Sequence, residues 1–395
     1  MFQHKKDFKN AILLLSGNIV TTFGNVLLSN ALNLWIIQIS GKTKTLGIIA
    51  SIGLIPTLIF TIFGGIISDS FNKKRVVFIC DLISGVLCCI MSILIDDNHL
   101  NIYYIVIFRF LLSLISAIFK PAMMSLPAYS ISEYNRMKFN SYFNISNQIF
   151  QIITPIISGV LIGIGFSIKI VLFFDGITFL LSSLSEIFID CSKDEKSFTK
   201  NKWSTSEKFL SAFRYIFSNK YLTCIILFAS LINIFIAGYN MFLPYYGSYV
   251  GKKYYGYLLA IEALGGIIGA FSLQIDKFHF DNGNMEFNLF ISGVFLNLFF
   301  IFNNLCIMYI IVFVFGIFLN RFNIQFFTYL QNNVEKEYIG RVISTTTVVA
   351  LVLMPFGQIL FSNLIDILGM ITFAIIGFSI CFSYVVYRLI VKFYL

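Results

Sequence analysis

A chain of 395 residues that is 58% hydrophobic and only 12% charged is not a soluble globular domain, in which about a quarter of residues carry charge. No water-facing fold hides this much apolar surface, so lipid must be the solvent for most of it. The net charge of +9 suits anionic lipid headgroups, and the basic residues are split among short segments, which argues against a nucleic-acid partner.

Apolar runs of about twenty residues, the length a helix needs to cross the hydrocarbon, recur along the chain. The first six fall near 11–37, 45–68, 76–95, 102–125, 139–163 and 168–189. Six more follow near 219–248, 254–274, 286–303, 305–331, 341–364 and 369–390. A β-barrel would show short alternating segments instead. The first run is too long for a cleavable signal peptide and lacks a small-residue cleavage site, so it is expected to remain a span. The reading is an all-α membrane protein of twelve transmembrane helices in two six-helix bundles, 1–190 and 218–395, joined by a polar linker at 191–217. Within the linker, Phe209, Phe213, Ile216 and Phe217 recur at helical spacing beside basic residues. That suits a helix on the membrane surface, or equally a lead-in to the seventh span. The 7 cysteines are scattered without a C-x-x-C pair, so neither disulfides nor a metal site is expected.

Lys and Arg counts set the orientation. With both termini in the cytoplasm, Lys42, Lys44, Lys169, Lys252 and Lys253 lie outside, and Arg109, Lys120 and Arg321 lie within spans. The other 20 of the 28 basic residues then face the cytoplasm, which predicts a multi-pass protein of the plasma membrane.

The two halves echo each other. "LPAYSISEY" ends at Tyr134 and "LQNNVEKEY" at Tyr338, 204 residues on, and each precedes a helix with an internal proline, Pro155 and Pro355, 200 residues apart. Matching signals in the same order point to two parallel repeats.

The stretch "GGIISDSFNKKR", residues 64–75, interrupts the apolar sequence between spans two and three. Gly65, Asp69, Lys73 and Lys74 fit G-x-x-x-D-x-x-x-[RK]-[RK], with Arg75 following. Gly65 permits close helix approach. Asp69 stands at the end of its helix where the dipole disfavours an anion, so it requires a neighbouring cation or another helix's N-terminus. In this pattern the chain resembles the major facilitator superfamily, whose signature loop lies at this place. The resemblance implies that the loop pins the two halves in one conformation, with the start of span eleven near Arg341 as partner. Ser70 and Asn72 depart from the family pattern, which has a basic residue and a glycine there. In the second half, "SLQIDKFHF" keeps only Asp276 and Lys277 of the signature. "FRFLLSLISAIFKPA", with Arg109, looks like the family's fourth-span signature. "ITPIISG", with Pro155 and Gly159, is similar to the proline-glycine motif of exporters. "EYIGRVISTTTVVALVLMPFGQIL", with Pro355 and Gly357, and "FFDGITFLLSSL" look most like macrolide-efflux-type drug exporters. The resemblance implies alternating access with a proton gradient as the energy source, no cofactor, and a monomer.

Ionisable residues inside spans cost several kcal/mol unless paired or hydrated, so each is a functional candidate. Arg109 and Asp175 sit about seven residues into their spans from the same side, roughly 10 Å deep at 1.5 Å per residue, and are expected to form an ion pair, either structural or coupling. Glu262 lies at similar depth with no cation near it in sequence; an apolar setting favours its neutral form, as a proton carrier requires. Arg321, with Asn320, Asn323 and Gln325 nearby, is a candidate for attracting an anionic group in the cavity. Asp81 is expected to brace the signature loop. Asn18, Asn25, Asn30 and Asn33 recur along span one and either face a wet cavity or bond between helices. The 46 phenylalanines would suit flat, hydrophobic or cationic substrates, although most must face lipid or other helices.

These features together predict a proton-driven exporter of hydrophobic or cationic small molecules. The alternatives are an uptake symporter for a small metabolite and an exporter of one narrow endogenous compound such as a siderophore or peptide. An enzyme is not expected: His4, His99 and His279 are dispersed, and no G-x-S-x-G, H-E-x-x-H or G-x-x-x-x-G-K-[ST] motif occurs. A receptor that moves no substrate is the remaining class, and it would show no flux.

Overall fold

The computed structural model describes residues 5–97, 99, 101–191, 213–273, 285–302, 304–335 and 339–394. Ten helices among the described residues are long and apolar enough to cross a membrane, with two shorter apolar segments at Ile153–Ile164 and Phe287–Phe299. Each of these twelve segments falls on one of the expected spans. The chain divides into two compact units, Met1–Ile39 with Ile52–Lys202, and Ser40–Ser51 with Trp203–Leu395.

The first unit contains α1 (Lys5–Ser40), most of α2 (Thr43–Ser70), α3 (Lys73–Leu94), α4 (Ile102–Ser125), the single turn α5 (Pro127–Ser130), α6 (Glu133–Ile164) and α7 (Ile168–Ile187). Local chemistry sets several ends. Asn72, which departs from the family signature, caps α3 by accepting from the Arg75 backbone N–H at 3.0 Å. Ser167 does the same for α7 at 3.4 Å. α6 stops at Gly165, whose φ of +93° is left-handed. At one end, Ala11, Leu14, Val77, Leu126, Ile131, Phe139 and Ile189 form a buried apolar cluster. The start of α1 is stitched around it. Asn10 donates to the carbonyls of Ser130 (2.7 Å) and Asp190 (2.9 Å). Asp7, 5% exposed, caps α6 by accepting from the Ser132 N–H at 3.3 Å, the Ser132 hydroxyl and Asn135 Nδ2 at 2.7 Å. A carboxylate is favoured there because it faces the positive end of the α6 dipole.

α3 and α7 approach closely at Gly85 and Gly176. A Cβ on Gly85 would meet Leu180 Cγ at 2.8 Å and the Gly176 carbonyl at 3.0 Å, and one on Gly176 would meet Cys89 Sγ at 2.6 Å. Small residues allow such approach in lipid, where dispersion rather than water exclusion joins helices. The opposite face of α3, including Ile79, Ile83, Val86, Ile90 and Ile93, is exposed, as lipid contact requires.

The second unit contains α8 (Lys220–Val250), α9 (Lys252–Ser272), α10 (Phe287–Phe302), α11 (Leu305–Asn333), α12 (Ile339–Val352), α13 (Met354–Leu368) and α14 (Ile371–Tyr394). The eleventh span is therefore broken at Leu353, two residues before Pro355, because proline starts a helix more readily than it continues one. Much of the aromatic content forms this unit's core. Tyr239 stacks on Phe315 at 4.0 Å, Phe242 on Phe373 at 4.4 Å, and Phe299 meets Phe373 edge-on at 5.4 Å. The first two turns of α2 also belong here. Asp366 accepts from the Thr43 and Lys44 backbone N–H groups at 2.7 and 2.8 Å, and Ser51 donates to the Pro355 carbonyl at 2.9 Å. Of the expected linker helix, residues 213–218 are helical, with Phe213 stacked on Phe217 at 6.1 Å; Phe209 lies outside the described residues.

Candidate proton and substrate sites

Gly65 is placed only as backbone within α2, and the side chains of Asp69 and of Arg341, its expected partner in the second unit, lie outside the described residues. The cations that follow are placed. Lys73, 7% exposed, sits 5.1 Å from the centroid of the Tyr129 ring. Lys74 Nζ donates to the carbonyls of Ile187 (2.8 Å) and Ile189 (2.7 Å), neutralising the negative end of the α7 dipole. Arg75 is exposed. Asp81 turns to Ser182 and Glu186 on α7.

The expected Arg109–Asp175 ion pair is not formed by contact. Among the described residues the salt bridge within 4 Å is Lys9–Asp190, at 3.0 Å. Arg109 donates instead to Asn33 Oδ1 at 3.3 Å, and its Nε is buried without a partner. Asp175, 0% exposed, receives the Cys88 thiol at 3.6 Å and the Thr178 hydroxyl at 3.3 Å. The two groups share an electrostatic neighbourhood while each bonds elsewhere. Depth was readable from sequence; the direction each side chain takes around its helix was not.

The asparagines of α1 bond between helices. Asn18 donates to Asn147 Oδ1, Asn30 to Ser158 Oγ at 2.8 Å, and Asn33 accepts from Arg109; Asn25 is exposed. Asn30 thereby joins α1 to the proline-glycine motif of α6, next to the buried Gly159. In the second unit, Gly357 brings α13 onto α8, where a Cβ would meet the Ile234 carbonyl at 2.5 Å.

Glu262, half-buried on α9, faces the hydroxyl of Tyr239, with Tyr255 beside it. Both tyrosines are buried, at 0% and 2% exposure. No salt bridge reaches Glu262 among the described residues. The arrangement is a carboxyl group at span depth, among phenols, without a counter-cation.

Arg321 is 3% exposed. Its Nε donates to Asn288 Oδ1 at 3.1 Å and its Nη1 to Ser272 Oγ at 2.6 Å. Asn288 Nδ2 in turn donates to Gln325 Oε1 at 2.8 Å. Arg321 therefore ties α9, α10 and α11 together from within. Four acidic groups escaped the sequence reading: Asp7, Glu186, Glu286 and Asp366. Glu186 carried a signal, since Asp175, Thr178, Ser182 and Glu186 share one face of α7.

The long apolar helices of the two units mark a multi-pass membrane protein. The chain matches the Major Facilitator Superfamily over residues 14–358, and it belongs to that family of transporters. It is 25% identical over 97% of its length, and 95% of the relative's, to the Staphyloferrin A transporter of Staphylococcus aureus. Among solved structures, the nucleoside transporter NupG has a TM-score of 0.74 at 13% identity, covering 99% of this chain and 100% of that one. A bacterial homologue of the human lysosomal transporter Spinster, inward-facing and occupied, has a TM-score of 0.72 at 13% identity, covering 98% of each chain.

Proposed function

We propose that this protein is a proton-driven exporter of a small molecule, working by alternating access in the plasma membrane with both termini in the cytoplasm. Glu262 carries the reading. A carboxyl group within a span is costly when charged and unpaired, and the phenols of Tyr239 and Tyr255 beside it supply no countercharge. Such a group takes a proton from one side and releases it when its surroundings open to the other. Arg109 and Asp175 provide a second coupling element in the first unit. Arg321 and Gln325, with Asn30 and Asn33, are the candidate polar groups for substrate.

Two substrate readings remain, each with its own support. The macrolide-efflux resemblance favours hydrophobic or cationic compounds. The likeness to the Staphyloferrin A transporter over nearly the whole chain favours one narrow endogenous compound such as a siderophore. Transport assays in energised vesicles test both, using a lipophilic cationic dye and an iron-chelating siderophore, with and without a protonophore. The expected result is protonophore-sensitive export of one of the two, lost in Glu262→Gln. Export that survives in Glu262→Gln moves the coupling proton to another acid. Uptake of either compound refutes the exporter reading.

A further inference from the structure

A buried row of polar side chains runs along α7, against the Gly17 and Gly24 positions of α1 and toward α3. Asp175, Thr178, Ser182 and Glu186 follow one another at helical spacing, each no more than 3% exposed. At one end Asp175 is satisfied by Cys88 and Thr178. At the end that carries Lys74, Asp81 (1% exposed) and Glu186 (2% exposed) bring their carboxyl groups within hydrogen-bond reach of each other. Ser182 Oγ lies 3.5 Å from Glu186 Oε1. Asp81 Oδ2 and Glu186 Oε2 are both buried and receive no donor.

Among the described residues, few other groups face the pair. Cys80 adjoins it from α3, and Ser182 from α7. α1 contributes Gly17, whose Cβ position abuts Ser182. From α4, Arg109 lies toward Asp175 and Cys88. Lys74 is engaged with the Ile187 and Ile189 carbonyls. No salt bridge reaches either acid among the described residues. Two adjacent carboxylates would place two uncompensated like charges in a water-poor setting. One proton between them removes a charge and supplies the missing donor.

The internal repeat supplies an independent comparison. Asp81 and Glu286 are 205 residues apart, and Glu186 and Tyr387 are 201 apart, close to the offset relating the two halves. In the second unit, Tyr387 Oη donates to Glu286 Oε1 at 2.9 Å, and Tyr221 Oη adds a longer bond at 3.3 Å. The residue on the sixth helix of that bundle is thus the donor to a carboxyl group in the turn just before the third helix. In the first unit the same position holds Glu186, which donates only when it carries a proton.

We propose that Asp81 and Glu186 form a proton-binding site that holds one shared proton at neutral pH, and that losing this proton pushes α3 and α7 apart at that end. The site stands independently of the direction of transport and of any role for Glu262. Infrared spectroscopy of the protein in lipid nanodiscs tests it through the carbonyl stretch of protonated carboxyl groups. At pH 7 the wild type should show, beside any absorption lost in Glu262→Gln, a band that Asp81→Asn and Glu186→Gln each remove. Glu186→Tyr, which copies the second unit, should remove the band while keeping the helices joined. Linkage gives a second readout. A proton bound only in the folded state makes the unfolding equilibrium up to tenfold less favourable to the fold per pH unit above the ordinary carboxylate range. Glu186→Gln should flatten that slope by one proton. Absence of the band from the wild type overturns the proposal without any variant. So does a band removed only by Glu262→Gln or Asp175→Asn, or an unchanged slope in Glu186→Gln.

Discussion

Asp366→Ala should release the first two turns of α2 from the second unit. The carboxylate accepts two backbone N–H bonds, at 2.7 and 2.8 Å, from the N-terminus of α2, where a helix has donors without intrahelical partners. Asp366 is exposed, so water replaces part of the loss. The relevant scale is that of an N-cap removal, about 0.5–2 kcal/mol, with about 0.3–1 kcal/mol for the charge on the dipole. A net cost of about 1–2 kcal/mol corresponds to roughly a 5- to 30-fold rise in the detached population, at about 1.36 kcal/mol per decade. Thr43 is 0% exposed, so a lone cysteine there, in a background without the native thiols, reports detachment through its reaction with a membrane-impermeant maleimide. The Asp366→Ala rate should rise by that factor. Asp366→Asn, which keeps one acceptor oxygen, should fall between the two. Thr21→Cys, buried in the first unit at 4% exposure, serves as the control. A change below twofold at Thr43→Cys, or an equal rise at Thr21→Cys, refutes the assignment of a local cap.

Further predictions concern packing and charge. Gly176→Leu should lower the melting temperature of the detergent-solubilised protein, since overpacking costs about 1–3 kcal/mol or more. Gly176→Ala should cost less, and Cys89→Ala should partly rescue it because Cys89 Sγ is the nearest atom to the added methyl. Phe373→Ala removes a ring that contacts Phe242 and Phe299; its expected cost is about 3–5 kcal/mol, read by the same melts. Lys74→Met should loosen the end of α7, seen as faster amide exchange at residues 187–191. The hydrogen bond from Lys9 holds the Asp190 carboxyl below its usual range. A group lowered in the folded state stabilises it above the ordinary carboxylate range and loses that effect as pH falls through the lowered value. Lys9→Ala should therefore flatten the acid limb of a stability profile, and only slightly, because both side chains are about half exposed.

Span positions were legible because hydrophobic length is a local property of the sequence; the break before Pro355 was not, since Pro155, read as an internal proline in the same way, lies inside an unbroken helix. Contacts that depend on how helices rotate against each other were not. Arg109 and Asp175 share a depth, yet rotation turns one to Asn33 and the other to Cys88 and Thr178. Asp366 caps a helix 323 residues away, and no local pattern marks it. Asn72 looked like an erosion of the signature loop until its side chain proved to cap α3. The Asp81–Glu186 pair lay between these extremes: the polar period of α7 was visible, but its partner helix was not.

The seam between α9 and α11 bears on how Glu262 can move. A Cβ at Gly265 would strike the Phe313 carbonyl, one at Gly269 the Ile317 carbonyl, and one at Gly316 the carbonyl of Glu262 itself. With main chains this close, neither helix can slide or roll past the other without collision, so the two behave mechanically as one plate. The backbone of Glu262 is clamped at the residue that would carry the proton. Any exchange of partners by its carboxyl must come from torsion about its own side-chain bonds, a motion far faster than the displacement of a helix. Loading and unloading of a proton there would keep pace with any larger rearrangement, and the slow step of a cycle would lie elsewhere.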